Sequence, residues 1–154
     1  MEVALNQILV FRARANLCAV PLSCVLETMR PLPMERLPEI PAFVCGLSVI
    51  RGIPCPVVDV GALLDRKEPK SITRFISLRL SDSKRIALAV DAVLGVRELD
   101  PSVLQRMPSL LQSADSESIE AIGTLDGELL MVLEASKMLA EETWQSLGKG
   151  EQTA

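Results

Sequence analysis

The chain contains no histidine and no tyrosine. Without imidazole, Ser-His-Asp and Cys-His nucleophilic chemistry is excluded, and so is every zinc site with a histidine ligand. Aromatic residues make up only 3% of the 154 positions: Phe11, Phe43, Phe75 and Trp144. That is too few for the stacked platforms that hold single-stranded nucleic acid. Basic charge is also in short supply. Sixteen Lys and Arg stand against twenty Asp and Glu, a net charge of −4, which disfavours a surface that tracks phosphates.

The four cysteines, Cys18, Cys24, Cys45 and Cys55, never occur as C-x-x-C, so no zinc-knuckle or thioredoxin-like motif is present. Each lies among apolar neighbours, as in Leu17-Cys18-Ala19-Val20, and reads as a reduced, small core hydrophobe. No G-x-x-x-x-G-K-[ST] phosphate cradle occurs. The start of the chain, Met1-Glu2-Val3-Ala4-Leu5, has neither a basic region nor a small-residue cleavage site, so no signal peptide is expected. The longest nearly uncharged stretch, Ile40 to Val58, is broken by Arg51 and by Pro41, Gly46, Gly52, Pro54 and Pro56. A membrane-spanning helix would not carry that many breakers, so strands, turns and a cytoplasmic protein are expected.

What is present suits a folded β protein. Hydrophobic residues are 49% and charged residues 23%, enough for a core and ordinary in charge. Asn6 to Ala13 and Leu17 to Pro21 read as a hairpin, and Gly46 to Arg51 and Ile53 to Asp59 as two strands about Gly52. Ile72 to Leu80 and Arg85 to Val90 flank a turn at Asp82-Ser83-Lys84, and Val93 to Glu98 reads as a further strand. Ile119 to Leu125 and Glu128 to Leu133 flank Asp126-Gly127, which supplies the two positive-φ positions of a type I′ turn. Helix is expected at Leu22 to Met29, where Leu22, Val25, Leu26 and Met29 follow the i, i+3, i+4, i+7 stripe. It is also expected as one turn at Val60 to Leu64, as a short turn in Pro101 to Pro108, and at Ala135 to Leu147, ending at Gly148. The four prolines of Arg30 to Pro41 make that segment an extended connector, while Asp65 to Ser71 and Leu111 to Glu117 read as loops and Lys149 to Ala154 as a frayed tail. Strands this apolar on both faces are expected to close into barrels, since open edges would invite aggregation.

One cation, Arg51, sits inside the apolar run Pro41 to Val60. It either snorkels to solvent or is held at a binding surface by a carboxylate partner. Asp59 and Asp91 occupy matching Val-Asp contexts in the two halves. Two carboxylates could serve acid–base work or Mg²⁺, but as strand-end aspartates they read as acceptors for backbone N–H groups, as at an N-cap. Asp115 to Glu120 reads as a solvated loop rather than a metal site.

The run Pro41-Ala42-Phe43-Val44-Cys45-Gly46, with Ile50-Arg51-Gly52 and Pro56-Val57-Val58-Asp59-Val60, resembles the central signature of the CheW-like family, the chemotaxis coupling adaptors. The opening Ile8-Leu9-Val10-Phe11-Arg12 with Cys18-Ala19-Val20-Pro21-Leu22 resembles the family's start. Arg85 to Val93 resembles its second Val-Asp strand, and Ile122 to Leu133 its final hairpin. The resemblance spans roughly Ile8 to Leu139, and places a domain of two intertwined barrel subdomains at residues 6–139 with a helix end and tail at 140–154.

The resemblance implies an all-β fold with short helices, two SH3-like five-stranded barrels packed together, and no catalysis, metal or cofactor. It implies two partners: the cytoplasmic tip of a chemoreceptor and the regulatory domain of a CheA-type histidine kinase. It implies recruitment to membrane receptor arrays without membrane insertion, and no nucleic acid. The family's partner-facing positions fall on Val25, Glu27, Gly46 and Arg51, with Glu27 and Arg51 paired near the receptor-facing groove. The chain departs from the family at Val49, usually Asn, at Val60-Gly61, usually Leu-Arg, at Ala87, usually Gly, and at Cys18, usually Tyr. Two other readings stay open: a divergent homologue that binds one partner in a non-flagellar pathway, and a small β-barrel that binds a ligand or acts as an enzyme.

Overall fold

The structure, a computed structural model, describes residues 7–65, 72–106 and 118–152. The strands are β1 (Gln7–Ala13), β2 (Asn16–Pro21), β3 (Val25–Met29), β4 (Val44–Ile50), β5 (Ile53–Asp59), β6 (Arg74–Arg79), β7 (Arg85–Val90), β8 (Ala92–Glu98), β9 (Gln105–Arg106), β10 (Ile119–Leu125) and β11 (Glu128–Leu133). The α-helices are α1 (Val60–Asp65) and α2 (Glu141–Gln152). No helix among the described residues is long and apolar enough to cross a membrane.

The strands form two sheets, ordered β8-β1-β2-β11-β10-β9 and β3-β6-β7-β5-β4. Apart from the two-residue β9, the two orders share one plan. Each combines antiparallel pairs with one parallel pair, β2 with β11 in the first sheet and β7 with β5 in the second. In each, the last long hairpin turns through two residues with positive φ: Arg51 (53°) and Gly52 (78°), Asp126 (52°) and Gly127 (80°). Both are two-residue type I′ turns, the geometry that matches strand twist. The Asp126-Gly127 turn is as expected; that Arg51 is itself a turn residue was not.

Strand alternation distributes the core. Along β1, Ile8 and Val10 face a small cluster inside the first sheet, with Leu17, Ala19, Leu130 and Val132. Leu9 and Phe11 point the other way, into a cluster shared by both sheets that also holds Val20, Val58, Ile76, Leu78, Ile86 and Leu88. The second sheet closes over its own cluster of Ile50, Cys55, Val57, Phe75, Ala87 and Ala89. Each sheet thus buries both faces, which is why the central positions of β1, β2, β6 and β7 are mostly apolar on both sides. A buried Phe such as Phe11 or Phe75 contributes about 1.5–3 kcal/mol by leaving water. None of the four cysteines forms a disulfide; Cys18 and Cys55 are buried and the other two half-buried.

Three expectations are corrected. Leu22 to Met29 is no helix: a 3-10 turn at Leu22–Cys24 leads into β3. Val25, Glu27 and Met29 are half-buried and Leu26 and Thr28 exposed, a period of two, because pairing with β6 outweighs an eight-residue helical stripe. The C-terminal segment is not one helix. A 3-10 turn at Ala135–Lys137 precedes α2, which passes Gly148, although Met138, Leu139 and Leu147 do pack on the shared cluster. The short turn of helix expected in Pro101 to Pro108 is present as a 3-10 turn at Pro101–Val103, followed by β9.

Finally, the sheets have six and five strands, and no ladder among the described residues closes either into a barrel. In the second sheet the outer edge of β4 is already taken: Glu35 of the connector exchanges backbone hydrogen bonds with Leu47, both 2.8 Å, so β3 cannot pair there. In the first, the far edge is only the two-residue β9. The expected loops at Asp65 to Ser71 and Leu111 to Glu117 lie almost wholly outside the described residues, and the expected frayed tail lies partly outside them.

Candidate docking site at the seam of the second sheet

Where backbone pairing stops, side chains bridge. Glu27 lies on edge strand β3 and Arg51 in the β4–β5 turn at the opposite edge of the same sheet. Arg51 Nε donates to Glu27 Oε2 and Nη2 to Oε1, both at 3.0 Å, a bidentate fork. The Arg51 side chain is 76% exposed and that of Glu27 31%. The hydrogen bond from Arg51 holds the Glu27 carboxyl below its usual value, and Glu27 in turn raises the guanidinium. The cation that sequence reasoning left between two readings is both held by a carboxylate and open to solvent.

Two exposed apolar residues adjoin the pair along the chain. Leu26, beside Glu27, is 45% exposed, and Val49, two residues before Arg51, is 63% exposed. Val25 starts the same strand, half-buried against the shared cluster and paired with Leu78. Gly46 is buried at a bulge in β4, and a Cβ there would stand 2.3 Å from the Glu35 carbonyl oxygen. Its lack of a side chain lets the connector lie on β4, where Ser48 Oγ also donates to the Pro33 carbonyl at 3.0 Å. The structure therefore joins Glu27 with Arg51 and places Val25 on the same strand, while Gly46 shapes the backbone beneath.

Sequence reasoning missed an equivalent bridge in the first sheet. Arg97, on edge strand β8, donates to both carboxylate oxygens of Asp126 in the β10–β11 turn, at 3.0 and 3.3 Å. Edge strand and turn match those of Glu27 and Arg51, but the charges are exchanged. Beside it Arg12 and Glu128 form a second fork at 2.5 and 2.8 Å. The two pairs flank a cavity of about 120 Å³ floored by Val10, Leu17 and Leu125. Positive-φ Asp-Gly was a signal for the turn, but nothing local in sequence ties Asp126 to Arg97.

Of the two strand-end aspartates, Asp59 caps α1, its Oδ1 accepting from Ala62 N at 3.1 Å. Asp91 caps no helix; its backbone N–H donates to the Arg12 carbonyl at 2.8 Å and its carbonyl accepts from Thr73 Oγ1. Among the described residues no three His, Cys, Asp or Glu side chains gather as metal ligands. The seam offers a preformed, exposed ion pair with exposed apolar residues next to it along the chain, which suits recognition of a protein surface.

The CheW-like domain family model matches residues 7–143. A chemotaxis protein CheW of Bacillus subtilis is 25% identical over 143 residues, covering 92% of this chain and 91% of that one. A chemotaxis protein CheW of Rhizobium meliloti is 23% identical over 138 residues, 89% of each chain. The crystal structure of the scaffolding protein TtCheW from Thermoanaerobacter tengcongensis superposes with a TM-score of 0.72 at 23% identity, over 83% of this chain and 88% of that one. The paired sheets are accordingly the two-part SH3-like arrangement of that fold, and the chain belongs to the CheW-like domain family.

Proposed function

We propose that this protein is a non-enzymatic adaptor of chemotaxis-like signalling. It couples the cytoplasmic tip of chemoreceptors to the regulatory domain of a CheA-type histidine kinase, working in the cytoplasm at membrane receptor arrays. The observation that carries this reading is the Glu27–Arg51 fork, ordered before any partner arrives, with exposed Leu26 and Val49 adjacent to it along the chain. A helix with an apolar stripe and a polar flank suits such a surface, since the stripe buries against Leu26 and Val49 while the flank meets the charge pair. Glu27 and Arg51 contact the receptor, Val25 supports the strand that carries Glu27, and Gly46 sets the connector beside them. The kinase domain takes a different face of the body.

The test is co-precipitation of a receptor cytoplasmic fragment and a CheA regulatory domain by the purified chain. Capture of both supports the coupling role. Capture of one alone favours the divergent single-partner reading, to which Val49 lends weight because it places an exposed apolar side chain where the family usually has Asn. Capture of neither contradicts the proposal.

A further inference from the structure

Arg14 follows β1, in the turn to β2, with φ of 57°. Its side chain is only 8% exposed and leaves its own sheet to reach the other one. Nη2 stands 3.6 Å from Asp59 Oδ2, and the Asp59 side chain is likewise 8% exposed. The stem lies against α1 at Gly61: a Cβ on Gly61 would fall 2.9 Å from Arg14 Cγ and Nε and 3.0 Å from Cδ. The arginine can be there only because position 61 has no side chain. The same corner has one backbone link between the sheets, Asp91 N to the Arg12 carbonyl at 2.8 Å.

We propose that Arg14 is a positioning residue, a latch between the sheets that fixes the angle between the two halves of the body. The shared apolar cluster holds the sheets together through burial, which is non-directional. One backbone bond at the corner is a pivot. A second anchor two residues along, a buried ion pair at 3.6 Å whose attraction weakens as the two groups separate, opposes rotation about that pivot. A cation at position 61 would neutralise Asp59 from within its own sheet and leave the angle free. With Arg14 and Gly61, the charge that Asp59 requires comes from across the boundary.

The test separates stability from coupling. Backbone N–H residual dipolar couplings of the full chain report the orientation of each sheet. In the native protein one alignment tensor fits both sheets. In Arg14→Gly the unfolding midpoint falls and the two sheets require different tensors. In Arg14→Gly/Gly61→Arg the midpoint recovers most of its loss, because Asp59 again has a cation, yet the tensors stay different. A single tensor in the double variant overturns the latch. If the glycine variants do not fold, Asp59→Asn decides: it keeps the cap to Ala62 and the side-chain volume but loses the charge. Separate tensors in it support the latch and a common tensor overturns it.

Discussion

Glu27 and Arg51 lie on opposite edges of one five-stranded sheet, yet their side chains meet at 3.0 Å through two hydrogen bonds. The sheet is rolled far enough for its edges to face each other, but the connector occupies the backbone of β4 at Leu47, so only side chains can cross. The bridge closes the roll and leaves an arginine on the surface.

Because the pair is exposed, its removal should barely change folding. Arg51→Asp also suits the backbone, since aspartate accepts the positive φ that position 51 requires. Its melting temperature should stay within a few degrees of native, and circular dichroism on heating checks this. The pH dependence has a definite sign. The Glu27 carboxyl is lowered below 4.5 in the fold, so its contribution is present above pH 4.5 and lost as pH falls through the lowered value. Any stability difference between the native chain and Glu27→Gln at pH 7 should shrink to nothing under acid.

The cysteines should act as core. Burial pushes the Cys18 thiol up to about 12 and the Cys45 thiol up to about 11, against 9.0 for a free thiol. Both are neutral in the fold where the unfolded chain already ionises, so stability is whole below pH 9 and declines as pH rises toward 11 and 12. Urea midpoints at pH 8 and pH 10.5 should differ in that direction. At pH 8 a thiol reagent should leave Cys18 unmodified in the native protein, and dithiothreitol should not move the melting temperature. A native disulfide found by mass spectrometry would contradict this.

Two glycines should respond differently to alanine. Gly46→Ala places a methyl 2.3 Å from the Glu35 carbonyl oxygen, so the connector must lift from β4, at a cost of about 1–3 kcal/mol. Gly52→Ala meets nothing within 4 Å and bears only the cost of φ at 78°, about 1–2 kcal/mol. Amide exchange at Leu47, which donates to Glu35, should quicken in the first variant and not in the second.

Most strands were legible from pattern, because alternation and turn residues act locally. Val25 to Met29 was not: its helical stripe and its strand alternation use the same residues, and only β6 decides between them. The Glu27–Arg51 pair was reached through family resemblance, at a separation of 24 residues. Arg12 and Glu128, 116 residues apart, meet only through the parallel pairing of β2 with β11, a register that no local pattern encodes. The Gly61 departure did carry a signal, but Arg14 as the occupant of its space appears only in three dimensions.

Receptor coupling through Arg51 is the part of the proposed function on which the rest depends. The direct measurement is the affinity of Arg51→Asp for a receptor cytoplasmic fragment, with affinity for a CheA regulatory domain as the internal control. Breaking a charge pair that a partner buries weakens binding by about 30-fold or more. That loss is expected for the receptor, a much smaller one for the kinase domain, and partial recovery in Glu27→Arg/Arg51→Asp. An Arg51→Asp protein that binds the receptor with native affinity would contradict it.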